Sequence, residues 1–126
     1  MIGYTTVGTD NIERSANFYD PLFTSLGANR AMQADDFIAW VNADNAPMFS
    51  IHTPENGQAA TVGNGVMIGL LAKNQAQVDA IYKQAITLGA IDEGKPGPRG
   101  DSGFYAAYFR DLDGNKLNIH CMQTTD

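Results

Sequence analysis

Cysteine is almost absent: Cys121 is the only one in 126 residues. A single thiol excludes an internal disulfide framework and any multi-cysteine zinc or iron–sulfur site. Basic residues are scarce too. Eight Lys and Arg stand against fourteen Asp and Glu, a net charge of -6, and the eight are scattered along the chain. Without a concentrated basic surface, nucleic acid is excluded as a partner. No run approaches the roughly 20 apolar residues of a membrane helix. The start, Met1–Val7, has no basic region or cleavage signature, so the expected location is the cytoplasm. Histidine occurs only at positions 52 and 120, so imidazole chemistry must use one of them. What is present, 44% hydrophobic and 17% charged residues, is the composition of one folded domain spanning 1–126.

Two segments carry helical periodicity. In the first, Asp10 with Glu13 marks a start, Ile12, Ala16, Tyr19, Phe23 and Leu26 form a stripe, and Gly27 stops it. Pro21 inside this run predicts a bend or split near Tyr19–Asp20. In the second, Asn74 with Gln77 opens a helix whose stripe is Val78, Ile81, Tyr82, Ala85 and Leu88, ended by Gly89. Both finish in Leu-Gly-Ala, at Leu26 and Leu88, an offset of 62 (88 − 26) that is close to half the chain. Strand-like runs precede and follow each helix: Ile2–Thr9, Phe37–Asn42 and Met48–Thr53, then Val66–Ala72, Phe104–Arg110 and Lys116–Met122. Ser50-Ile51-His52 and Asn118-Ile119-His120 lie in corresponding last strands. The chain therefore reads as a duplication, with modules at about 1–54 and 64–126 joined by a linker at 55–63. A single module of this size could hardly bury a core alone.

Alternation divides each strand into two faces. Leu117, Ile119 and Cys121 form an apolar face for a helix, and Asn118, His120 and Met122 point the other way. The same parity puts Tyr4, Thr6, Ser50, His52 and Met67 on the face away from the helices, with Trp40 as a neighbour.

Certain stretches resemble a known superfamily. Thr9-Asp10-Asn11-Ile12-Glu13-Arg14-Ser15-Ala16-Asn17-Phe18-Tyr19 contains S-x-x-F-Y. The second half carries Gly94-x-Pro96-Gly97-x-Arg99, then Phe104-Tyr105-Ala106-Ala107-Tyr108-Phe109-Arg110-Asp111-x-Asp113-Gly114-Asn115. Both resemble the vicinal oxygen chelate superfamily of glyoxalase I, extradiol dioxygenases and bleomycin-resistance proteins. The resemblance implies an α+β fold of two βαβββ modules forming a cupped mixed sheet with helices on the convex side. Enzymatic members hold a divalent metal in the cup on His and Glu. Carried over by position, those ligands fall on Tyr4, Met67, Asn118 and, less securely, near Ser50, none of the metal-binding type. Thioether and amide donors do not replace imidazole and carboxylate for zinc or iron. No metal and no cofactor are therefore expected.

The residues expected to contact a ligand are Tyr4, Trp40, Ser50, His52, Met67, Arg99, Tyr105, Asn118 and His120. His52 and His120 could serve as acid or base, could hold a metal if a carboxylate completed the set, or could be neutral, hydrogen-bonded imidazoles lining a pocket. Arg99 sits in a glycine-rich stretch, Gly94–Gly103, read either as a flap whose arginine meets an anionic group or as a crossover pairing Arg99 with Asp101. Asp111-x-Asp113-Gly114-Asn115 is read as a hairpin turn, because it lacks the remaining ligands of a calcium loop. Cys121 is read as a small buried hydrophobe. The favoured function is metal-free binding of a small molecule, basic or aromatic, by a homodimer. The alternatives are a metal-dependent glyoxalase- or dioxygenase-like enzyme and a non-catalytic interaction module with a vestigial cup.

Overall fold

Each apolar stripe becomes a helix. In the computed structural model, which describes residues 1–122, α1 spans Ile12–Thr24 and α2 spans Gln75–Thr87. Asn74 caps α2: its side-chain oxygen accepts from the Gln77 amide at 2.9 Å, and the Gln77 side chain accepts from the Lys73 amide at 2.8 Å. The first bond satisfies a donor that a helix start leaves orphaned, and the second ties the residue before the cap to the first turn. At α1 the cap is Asn11 rather than Asp10, with Asn11 Oδ1 accepting from the Arg14 amide at 2.9 Å. Asp10 instead accepts from the Ala60 amide at 2.7 Å. Pro21 does not split α1, which runs on to Thr24. The bond it removes would run to Asn17, an exposed position where solvent can take its place.

Two compact units make up the chain, one ending at Asn64 and the other beginning at Gly65. The first holds β1 (Tyr4–Gly8), β2 (Asn29–Gln33), β3 (Phe37–Val41) and β4 (Met48–His52) in the order β1-β4-β3-β2. The second holds β5 (Ile68–Leu71), β6 (Ile91–Pro98), β7 (Phe104–Arg110) and β8 (Lys116–Met122) in the order β5-β8-β7-β6. In both, the first strand pairs parallel with the last and the other pairs are antiparallel. The fold is α+β, and βαβββ occurs twice.

Edge strands β2 and β6 are the elements that the hydrophobic pattern leaves unmarked. Every residue of β2 is exposed, and β6 carries Gly94, Pro96, Gly97 and Pro98. Such residues are tolerated at a sheet edge, where one side of the strand needs no partner. The stretch read as a flap is thus strand as far as Pro98, paired with β7 and irregular between Asp92 and Gly97.

One face of each sheet packs on its own helix. In the first unit Tyr19 and Phe23 of α1 meet Trp40 and Phe49, with ring centroids between 5.0 and 5.8 Å apart. Ile38 and Ile51 are buried with them. In the second unit Val78, Ile81 and Ala85 are buried along with Ala107, Phe109, Leu117, Ile119 and Cys121. Cys121 is therefore core. Asp111 closes the β7–β8 turn, accepting from the amides of Asp113 and Asn115, both at 2.9 Å, while Gly114 takes φ +88. Among the described residues no helix is long and apolar enough to cross a membrane.

Candidate functional site

With the helix side of the first sheet filled, the opposite parity forms the site. Register sets Tyr4 beside Met48, Thr6 beside Ser50, and Phe37 beside His52. Ala39 lies between Ser50 on β4 and Met32 on β2. These eight side chains line a pocket of about 350 Å³. A second cavity of about 550 Å³ shares Thr6 and His52 with it and is walled by the chain from Thr53 to Thr61. The Asp10–Ala60 bond holds that segment against the end of β1, where a Cβ on Gly8 would come within 3.2 Å of the Ala60 Cβ.

The polar groups of the smaller pocket are held in place. Ser50 Oγ donates to the Thr5 carbonyl at 2.8 Å and lies 2.7 Å from Thr6 Oγ1. His52 stacks on Phe37 at 5.9 Å with planes 8° apart, and its Nδ1 bonds the Thr53 carbonyl. Its Nε2 faces Asp36 Oδ2 at 3.8 Å. A small number of oriented groups in an apolar wall is the make-up of a ligand site.

The second unit has its own open face. There His120 Nδ1 lies 2.8 Å from Asn118 Oδ1, and the Phe104 ring is 5.3 Å from the imidazole. An amide oxygen can only accept, which assigns the proton to Nδ1 and leaves Nε2 as the acceptor. Burial pushes the His120 pKa below the ordinary histidine value. Gly69 makes room for the pair, since a Cβ there would lie 3.0 Å from Asn118 Oδ1 and 3.3 Å from His120 Cε1.

Arg99 spans 5.4 Å to the Tyr108 ring and donates to the Gly97 and Lys95 carbonyls at 2.9 and 2.6 Å. Its partners are backbone carbonyls, not Asp101. Lys116 Nζ stands 5.6 Å from the same ring.

Two expected contact residues are on the wrong face. Trp40 is 2% exposed, pairs in register with Phe49, and donates its indole N–H to Asp20 of α1 at 2.9 Å. Tyr105 pairs with Cys121 on the helix side and donates its hydroxyl to Asp79 of α2 at 2.7 Å. Parity decides both: Trp40 shares a face with Ile38, and Tyr105 with Ala107 and Phe109. Met67 lies just before β5 and is exposed. The open face also holds Phe37, Ala39 and Met48: alternation along β4 marks Met48, whereas β3 is apolar at every position and marks neither Phe37 nor Ala39. Met32 lies on β2, which gives no such signal.

The divalent metal that the resemblance implies does not fit the residues present. Positions 4, 50, 67 and 118 supply a phenol, a hydroxyl, a thioether and an amide. The amide oxygen is engaged by His120, and the hydroxyl by Thr5 and Thr6. Among the described residues no three His, Cys, Asp or Glu side chains come together. Catalytic zinc sites ordinarily draw three protein ligands of those kinds.

A family model described as Glyoxalase/Bleomycin resistance protein/Dioxygenase superfamily matches residues 1–119. The chain is similar to a crystal structure of a glyoxalase/bleomycin resistance protein from Albidiferax ferrireducens T118, with 35% identity, 98% of this chain and 99% of that one covered, and a TM-score of 0.88. A glyoxalase/bleomycin resistance protein/dioxygenase family enzyme from Burkholderia phytofirmans PsJN shares the fold at 18% identity, covering 96% and 98%, with a TM-score of 0.78. So does a lactoylglutathione lyase from Agrobacterium tumefaciens at 21% identity, covering 96% and 92%, with a TM-score of 0.71. No curated protein matches the chain.

Proposed function

The chain belongs to the glyoxalase/bleomycin resistance protein/dioxygenase superfamily, and from that membership we propose that it binds a small organic molecule without a metal. The observation that carries this reading is the pocket of about 350 Å³ on the open face of the first sheet, apolar in its walls and sparing in its polar groups. Tyr4, Ser50 and His52 are the residues assigned to ligand contact there. In the second unit Asn118, His120 and Arg99 offer polar groups on that unit's own open face. Each histidine is bonded to a carbonyl or amide oxygen rather than to a hydroxyl or thiol that could act as nucleophile. That supports binding over turnover. The donor chemistry at positions 4, 50, 67 and 118 supports the metal-free form.

The test is a thermal-shift screen of tag-free protein in chelator, with metal content measured in parallel. A ligand specific for the native state must raise the melting temperature. We expect stabilising compounds to act in chelator and to lose their effect in His52→Ala. Near-stoichiometric zinc, iron, manganese or nickel, lost in His52→Ala or His120→Ala, would overturn the reading. A homodimer is part of the same proposal, supported by apolar side chains left exposed at Tyr4, Leu71 and Met122.

A further inference from the structure

Counting protons in the first unit's pocket gives its ligand a chemical class. Ser50 has one hydroxyl proton, and the Thr5 carbonyl, which can only accept, takes it at 2.8 Å. The 2.7 Å contact between Thr6 and Ser50 must then be donated by Thr6. Thr6 is left with lone pairs alone. The Thr53 carbonyl likewise assigns the ring proton of His52 to Nδ1, so Nε2 of the neutral ring is also an acceptor. Asp36, 3.8 Å from that nitrogen, adds negative charge beside it. Phe37 and Tyr4 bring aromatic rings to the lining, and aromatic rings attract cations at their faces.

Nothing opposes this sign. Among the described residues no lysine or arginine lines the pocket. The one basic residue on β1–β4, Arg30, is paired with Asp20 of α1 on the opposite side of the sheet. Of the lining side chains, Thr6, Ser50 and His52 direct their protons to partners within the protein, which leaves the hydroxyl of Tyr4, a residue that is 66% exposed, as the one donor open to a ligand.

We infer that this pocket, with His52 neutral and apart from the exposed Tyr4 hydroxyl, accepts hydrogen bonds rather than donating them, and that it takes an ammonium group, or another N–H donor, carried on an apolar body. The inference rests on the proposed binding function and narrows it. A carboxylate in the same place would meet lone pairs from Thr6 and His52 and the charge of Asp36. The Thr6–Ser50–Thr5 chain is the device that sets this polarity, because it turns the only threonine proton away from the ligand.

Three probes of one shape test it: 3-phenylpropylamine, 3-phenylpropanol and 3-phenylpropionate, titrated into the full chain while backbone amide resonances are followed. The amine should bind at least about tenfold more tightly than the acid, the ratio expected of a single charge-assisted hydrogen bond, with shifts in β1 and β4. Thr6→Val, which keeps the shape and removes the lone pairs, should shrink that ratio. Ser50→Ala should shrink it as well, because the Thr6 proton loses its acceptor and becomes available to the ligand. The acid or the alcohol binding as tightly as the amine would overturn the inference and leave small-molecule binding standing. No resonance of the first unit moving with any of the three, at millimolar concentrations, would sink both.

Discussion

Asp20 joins two residues that the sequence places far apart. Its Oδ1 accepts from the Trp40 indole at 2.9 Å and from Arg30 Nε at 3.0 Å, and Oδ2 pairs with Arg30 Nη2 at 2.5 Å. The Arg30 bond, aided by the indole, holds the carboxyl below the ordinary aspartate value. Asp20→Ala should cost about 1–3 kcal/mol in a denaturant titration, because it strands a buried indole N–H. Asp20→Asn keeps an acceptor for the indole and should cost less. Since the folded pKa is depressed, this stability is present above the unfolded aspartate value and is lost as pH falls through the folded one. Asp20→Asn should therefore flatten the acid limb of stability against pH.

His120 runs by the same logic at higher pH. Its lowered pKa means that the unfolded chain binds the proton first, so stability is complete above the unfolded histidine value, about 6.5, and declines as pH falls through the folded one. A titration of the His120 Cε1 proton should give a midpoint under 6.5. A midpoint at or above it would contradict a half-buried imidazole held neutral by partial desolvation.

At the level of elements, the two helix starts look alike in sequence and are built differently. At Asn74 the polar residue, the glutamine three positions on and the apolar stripe agree on one start. Asn74→Ala should cost about 0.5–2 kcal/mol by chemical denaturation. At Asp10 the same pattern points one residue early, because that carboxylate is engaged by the distant Ala60 amide. Strands β4 and β8 are legible from their alternation, and β3 and β7 as short apolar runs, since each has one face in a core. Edge strands β2 and β6 are not, because no core face imposes a pattern on them. Trp40 and Tyr105 show the same limit, as an aromatic side chain suits a core and a pocket wall equally well, and only strand pairing assigns the face.

For the whole molecule, a net charge of -6 suits a partner with positive charge, and it disfavours anions at long range. The proposed homodimer should run by light scattering at twice the chain mass of 13.6 kDa at micromolar concentration. A mass of one chain would contradict it. Added salt should weaken binding of the amine probe more than that of the alcohol probe, because screening acts on charge and not on apolar contact.

The sequence by itself determined the duplication, both helices, the parity of β4 and β8 and the absence of metal-type residues at positions 4, 50, 67 and 118. All of these are local, set by spacing of three to four or of two and by the identity of single residues. The tertiary structure decided which aromatic residues face the helices, where the edge strands run, and which way each hydroxyl and ring proton points. Those depend on partners distant in the chain: Thr6 needs Ser50, Trp40 needs Asp20, and Asp10 needs Ala60. A hydrogen bond has a direction only once its acceptor is in place, so the polarity of the pocket is a property of the folded chain.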